Sequence, residues 1–210
     1  MFFELTHPLP KKCYIACSGG VDSISALHFL HKRVVGVLHF HHGTSSADKF
    51  LSHTRSVAKS YGIPFLSSYL FKPIPKGCIS KEQWWRDQRY NFLNSYASAD
   101  IPVVLAHNLN DCLEEYLMNV LVRGRQGTIP YRNGNCIRPF RMWPKEEIYS
   151  FAGKNSLLWV EDPSNKDVKF RRNNIRHGLI GKVLELNPGL YSIVKKQVFL
   201  QDKFSGVENV

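Results

Sequence analysis

The chain has 210 residues, 43% hydrophobic and 21% charged, which excludes wholesale disorder, collagen-like repeats and a disulfide-stapled miniprotein and suits one compact domain with an appendage. Lysine and arginine total 28 against 17 acidic residues, and the net charge of +11 fits either a polyanionic partner or a solvated basic face. Five cysteines without CxxC spacing read as reduced thiols, and with neither a signal-peptide pattern nor an apolar run near the ~18 residues of a membrane span, a soluble, unprocessed, cytoplasmic protein without a membrane partner is expected.

Apolar runs alternate with helical patterns at βαβ spacing. Cys13 to Cys17 reads as a strand, Ser23 to His31 as a helix, Val34 to Phe40 as a strand, and Ala47 to Tyr61 as a helix ending at Gly62. A strand around Ile63 to Leu70, a helix from about Ser80 to Ala97 and a strand from Ile101 to Ala106 follow. The next helix repeats leucine every four residues, at Leu109, Leu113, Leu117 and Leu121. Short, nearly continuous apolar strands predict an α/β fold with a doubly wound, mainly parallel sheet whose carboxyl edge holds the ligand. After Gly124 come a turn with a short edge strand in YRNGNCIRPF and a short helix near Pro144. A polar, basic, turn-rich stretch EDPSNKDVKFRRNNIRHG and an amphipathic helix from Asn187 to Phe204 complete the chain. The expected division is an α/β domain over 1–143 and a helical, basic extension over 144–210.

The first strand runs into Ser18-Gly19-Gly20-Val21-Asp22-Ser23 and directly on into a helix. Paired glycines let a ligand approach the backbone amides, and a helix N-terminus attracts anions. An ordinary N-capped turn is the plain alternative. The string lacks the lysine of a Walker loop and the spacing of G-x-G-x-x-G. It resembles the PP-loop of the N-type ATP pyrophosphatases, a resemblance that implies ATP as substrate, cleaved between the α and β phosphates, with the loop on the pyrophosphate part. At this level tRNA thiolases, GMP synthetase, asparagine synthetase and tRNA(Ile)-lysidine synthetases all remain open.

Further strings discriminate. His39-Phe40-His41-His42-Gly43 is similar to the H-x-x-H-G of lysidine synthetases, although Thr44 and Ser45 stand where that family has leucine and arginine. Glu82, Arg86, Arg89 and Tyr90 resemble its E-x-x-x-R-x-x-R-Y helix, and their spacing lets them share a face. Leu105 to Glu115 resembles A-H-H-x-D-D-Q-x-E-T, with His107, Asp111 and Glu114 matching and with Asn108 and Asn110 replacing a histidine and an aspartate. Trp159 to Asn165, then Arg171-Arg172-Asn173-Asn174-Ile175-Arg176, resemble its W-x-E-D-P-S-N and R-N-x-I-R strings.

The lysidine synthetase resemblance covers about residues 11 to 180. It implies adenylation of the C2 oxygen of cytidine 34 in the CAU anticodon of tRNA(Ile), then displacement of AMP by the ε-amine of free L-lysine. ATP contacts fall on Ser18, Gly19, Gly20, Val21, Asp22 and Ser23. Arg86, His107 and Asp111 are the catalytic candidates, with Arg86 on the α-phosphate and His107 or Asp111 as base. Asp111 and Glu114, one turn apart, are the candidate Mg²⁺ ligands, and Arg171, Arg172 and Arg176 the candidate RNA contacts. A homodimer stays open. The chain stops about 34 residues after Arg176, so the family's tRNA-holding C-terminal domains are expected to be absent or shortened. A tRNA thiolase, or an RNA-binding protein whose site has decayed at Asn108 and Asn110, are the competing readings.

Overall fold

Cys13, Ile15 and Cys17 are wholly buried or nearly so, and that is why β1 (Cys13–Ala16) lies in the interior of the sheet. The computed structural model describes residues 4–41, 43, 47–69, 81–161 and 171–204, with side chains left out at 81, 82, 171 and 204. The other strands are β2 (Val34–His41), β3 (Phe65–Tyr69), β4 (Val103–Val104), β5 (Arg132–Asn133) and β6 (Cys136–Ile137). Their order is β3-β2-β1-β4-β6-β5, parallel throughout except where β5 turns back against β6. The sheet is thus the doubly wound type the sequence predicts, and β1 and β4 flank the point where the strand order reverses.

The helices are α1 (Val21–Leu30), α2 (Ala47–Ser60), α3 (Lys81–Asn94), α4 (Leu109–Val122), α5 (Lys145–Lys154), α6 (Arg171–Asn174), α7 (Ile180–Leu186) and α8 (Leu190–Phe204), with a π-helical turn at Ile175–Leu179 between α6 and α7. One face of the sheet packs Val37 and Ile15 against α1, α2 and α5, and the other packs Leu38 and Leu105 against Leu93 of α3. Ile148 and Ala152 of α5 share the α1 core, so packing continues without a break across residue 143.

Three expectations need correction. The polar stretch read as turns is helical from Arg171 onward, because Ile175 buries itself with Leu113 and Leu117 of α4 and Val194 of α8. Its first part, Asp162 to Phe170, lies outside the described residues. The four-residue leucine repeat holds for Leu109, Leu113 and Leu117, which are buried, but Leu121 is 60% exposed. With 3.6 residues per turn, each four-residue step drifts by about 40°, so the fourth leucine has rotated off the buried face. Finally, the strand expected over Ile101 to Ala106 shrinks to Val103–Val104, and Cys136–Ile137 pairs with it in parallel as an unforeseen main-sheet strand. Leu105 N still donates to the Ile137 carbonyl at 2.8 Å, so backbone pairing outlasts the named strand.

Candidate active site

The loop between β1 and α1 folds around one hydroxyl. Ser23 Oγ accepts from the amides of Ser18 and Gly19, each at 3.2 Å, and donates to the Gly20 carbonyl at 2.9 Å. Ser23 therefore fixes the loop's shape, while Gly20, the N-cap of α1, offers no side-chain cap to the helix's first amides. Those amides stay available to an anion at the sheet edge. Gly19 sits at φ +95°, and a Cβ there would come within 2.9 Å of Thr54 Oγ1. Gly19→Ala is expected to cost ~1–3 kcal/mol by chemical denaturation, from left-handed strain plus that clash; an unchanged unfolding midpoint would refute the account.

Asp22, in the first turn of α1, gathers groups from two distant elements. Its Oδ1 accepts from Asn108 Nδ2 at 3.0 Å, and its Oδ2 meets Lys145 Nζ at 2.6 Å. Burial is the largest influence on its carboxyl and pushes the pKa up; Lys145 opposes this and nearby Asp111 adds to it. Asn108 also caps α4 in a reciprocal box, accepting from Asp111 N while its own amide donates to Asp111 Oδ2 at 2.9 Å. Asn110 accepts from the Lys145 amide at 3.0 Å and donates to Tyr191 at 2.8 Å. Both asparagines that depart from the resembled pattern are thus hydrogen-bonded parts of this architecture. Lys145 escaped the sequence reading because nothing in local spacing ties it to a residue 123 positions earlier.

Asp22, Asn108, Asn110, Asp111 and Lys145 line a cavity of about 760 Å³, together with Arg89, Glu114 and Arg176. A smaller one of about 200 Å³ shares Ser18, Asp22, Phe40 and Arg89 with it and is lined by His107. Arg86 is exposed and lies over the Tyr90 ring at 4.8 Å, whereas Arg89, one turn further along α3, is on the wall of both cavities. The arginine at the cavity is therefore Arg89 and not Arg86, whose place one turn nearer the helix start leaves it in solvent. Burial lowers the Arg89 pKa, with Arg86, Arg172 and Arg138 adding to that, and no carboxylate among the described residues pairs with it. An unpaired, desolvated guanidinium is a strong site for a phosphate oxygen.

His107 is half-buried, but its Nδ1 is buried and has no hydrogen-bond partner among the described residues. Burial first, then Arg138, Arg89, Arg172 and Arg86, hold its pKa well below the ordinary 6.5, so the ring stays neutral. The unfolded chain takes up this proton first, so His107 contributes stability that is present above about pH 6.5 and lost as pH falls below it. His39 and His7 are shifted in the same direction. His107→Gln is expected to flatten the loss of unfolding free energy between pH 7.5 and 5.5, and urea melts at the two pH values check it; a slope equal to the parent's would exclude the assignment.

Glu114 is 1% exposed and is clamped by Arg176, whose Nε and Nη2 donate to its two oxygens at 2.6 and 3.0 Å. Burial raises the Glu114 pKa and Arg176 works against that. Arg172 binds Glu115 at 2.7 Å, and Arg123 pairs with the same carboxylate. Arg172 and Arg176, read from sequence as RNA contacts, are thus turned onto α4, and the Arg171 side chain lies outside what the structure describes. The π-helical turn that starts at Ile175 brings Arg176 and His177 to the cavity.

No group of three or more His, Cys, Asp or Glu side chains among the described residues is arranged to ligate a metal by itself. Mg²⁺ needs fewer, since it keeps waters and leans on substrate phosphates. Asp22 and Asp111 fit that use, for their carboxylates line one cavity and Asp111 adds to the cost of ionising Asp22. Glu114 does not, because it is 1% exposed beneath an arginine that covers both of its oxygens, whereas the Asp22 and Asp111 side chains are 30% and 21% exposed.

The sequence profile of the PP-loop domain family matches residues 4–183. Among curated proteins, the tRNA(Ile)-lysidine synthase of Thermosipho africanus is 35% identical over 193 residues, covering 83% of this chain and 44% of that protein. That of Alkalilimnicola ehrlichii is 30% identical over 179 residues, 79% of this chain and 40% of the relative. That of Vibrio cholerae is 28% identical over 205 residues, 90% of this chain and 46% of the relative. The chain spans less than half the length of these relatives. Its fold is shared with the NMN synthetase from Francisella tularensis at a TM-score of 0.51 and 12% identity, covering 96% of this chain and 90% of that one.

Proposed function

The chain belongs to the PP-loop domain family, and on that premise we propose that it is a cytoplasmic ligase that joins lysine to a tRNA cytidine at the expense of ATP. The relatives' shared name, tRNA(Ile)-lysidine synthase, supports the substrate pair of ATP and tRNA. The observation that carries the reading is the meeting of the Ser18–Ser23 loop, Asn108 of α4 and Lys145 of α5 on Asp22, beside a cavity walled by Arg89, which has no carboxylate partner among the described residues. Such a site suits a polyphosphate at a helix N-terminus.

In the proposed reaction the cytidine C2 oxygen attacks the α-phosphate of ATP. Pyrophosphate leaves, and the ε-amine of free L-lysine then displaces AMP at C2. The amides of α1 hold the departing pyrophosphate, and Arg89 and Lys145 offset charge growing on the phosphates. A Mg²⁺ carried on the phosphates would be held by Asp22 and Asp111, where it would neutralise charge. The lysine ammonium, with a pKa of about 10.4, must lose a proton before it attacks. His107 is neutral and able to accept one, although the arginines around it make it a weak base. Phosphate charge arriving at Arg89 cancels part of that field and strengthens the base at the step that needs it.

The test is incubation of pure protein with ATP, labelled lysine and tRNA bearing a CAU anticodon. Stoichiometric AMP release and lysine incorporation are expected. AMP release without incorporation would point to another PP-loop tRNA-modifying reaction, such as thiolation, and tRNA binding without ATP turnover would point to a binding protein.

A further inference from the structure

The histidine run that ends β2 has a member with no task in the reaction above. His39 is 3% exposed, and its Nδ1 lies 2.9 Å from the Cys17 carbonyl. A carbonyl can only accept, so Nδ1 carries the proton and Nε2 of the neutral ring keeps its lone pair. Burial, and then the neighbouring His41 and Arg55, lower the pKa of the ring and keep it in that form. The tautomer is therefore fixed by the fold. A buried histidine satisfied at a strand end would need nothing more, but His39 also lines the larger cavity, as do Ala47 and Phe50 of α2 and Val160. Those three neighbours are apolar, while the cavity's charged side chains Asp22, Arg89, Asp111, Glu114, Lys145 and Arg176 come from α1, α3, α4, α5 and the π-helical turn. An apolar wall bearing one oriented acceptor suits a flat heteroaromatic ring with an N–H donor.

We propose that His39 is a specificity-determining residue for the nucleotide base: its Nε2 accepts a hydrogen bond from the exocyclic amine of a purine seated against Phe50. A base with a carbonyl at that position would set two acceptors against each other and be rejected. The inference rests on the reading of ATP as substrate and deepens it.

The experiment compares binding of ATP and of purine riboside triphosphate, which lacks the amine, to the parent, His39→Leu and His39→Gln proteins by equilibrium dialysis. The parent is expected to prefer ATP by about tenfold, the worth of one hydrogen bond in a buried site. In His39→Leu the ratio should fall to near one through loss of ATP affinity alone, with purine riboside triphosphate binding as it does to the parent. A misfolded variant would lose both ligands, and His39→Gln, whose side-chain oxygen can accept, should recover part of the preference. An unchanged ratio in His39→Leu overturns the proposal while leaving ATP binding intact. A ratio that shifts instead for 2′-deoxy- or 3′-deoxy-ATP places His39 on the ribose and overturns the base assignment. Failure of the parent to bind either triphosphate removes the ATP reading itself, and this inference with it.

Discussion

Asp22→Ala is expected to lower AMP formation by about 10²–10³-fold, the scale of losing one preorganised electrostatic contact in an active site. The carboxylate is the point where three elements meet, and its removal leaves Asn108 Nδ2 and Lys145 Nζ without their acceptor. Lys145 is then free to reorient, so the loss is one of arrangement as well as of charge. Because the pair is about 30% exposed on each side, the cost to stability should stay small, within ~1 kcal/mol. The informative comparison is Asp22→Asn, which keeps an acceptor for Asn108 but not the negative charge. If Asp22 only held the loop in shape, Asn would restore most of the activity; if it works through charge, Asn should be nearly as poor as Ala. Initial rates of AMP release, with circular dichroism to confirm folding, separate the two, and a parent-like rate in Asp22→Ala would remove the loop from the chemistry.

The second large effect is on stability. Arg176→Ala is expected to destabilise the protein by about 3 kcal/mol at neutral pH, the lower end for breaking a buried ion pair, because Arg176 is itself 35% exposed and keeps part of its hydration. What remains is the costly partner, a carboxylate 1% exposed with its strongest donor gone. The sign of the pH effect follows. Burial already raises the Glu114 pKa above the ordinary 4.5, and loss of Arg176 raises it further, so in the variant the penalty is fully present above the folded-state pKa and is relieved as pH falls through it. Urea melts at pH 7 and pH 5 should therefore show a smaller difference from the parent at the lower pH. Equal differences at both would mean that the pair contributes packing and not charge. Since Arg172 and Arg176 are committed to α4, a polyanion approaching the protein must find other cations, or must compete for these two.

Much of the architecture was legible because it rests on local physics. Short apolar strands alternating with amphipathic helices left few ways to wind the chain, and Ser18-Gly19-Gly20-Val21-Asp22-Ser23 could be placed at the carboxyl end of β1 from its glycines and its junction with a helix. Asp111 and His107 reached the same edge by the same reasoning. Illegible were the features set by side chains that meet across many residues. The rotation of α3 that turns Arg89 inward and leaves Arg86 outside depends on what α3 packs against. Arg141 reads as one more surface cation, yet it is 1% exposed and paired with Asp202 of α8. Arg176 reads as a nucleic-acid contact, yet its guanidinium covers the Glu114 carboxylate.

The sequence by itself determined the order of the elements, the mainly parallel sheet and the loop chemistry at its edge, since hydrophobic period, glycine conformation and helix capping act within a few residues. Only the tertiary structure decided which charges face one another. Whether Lys145 meets Asp22, or Arg176 meets Glu114, depends on the approach of elements 123 and 62 positions apart in the chain, and a side chain's charge state follows from burial that no local pattern encodes.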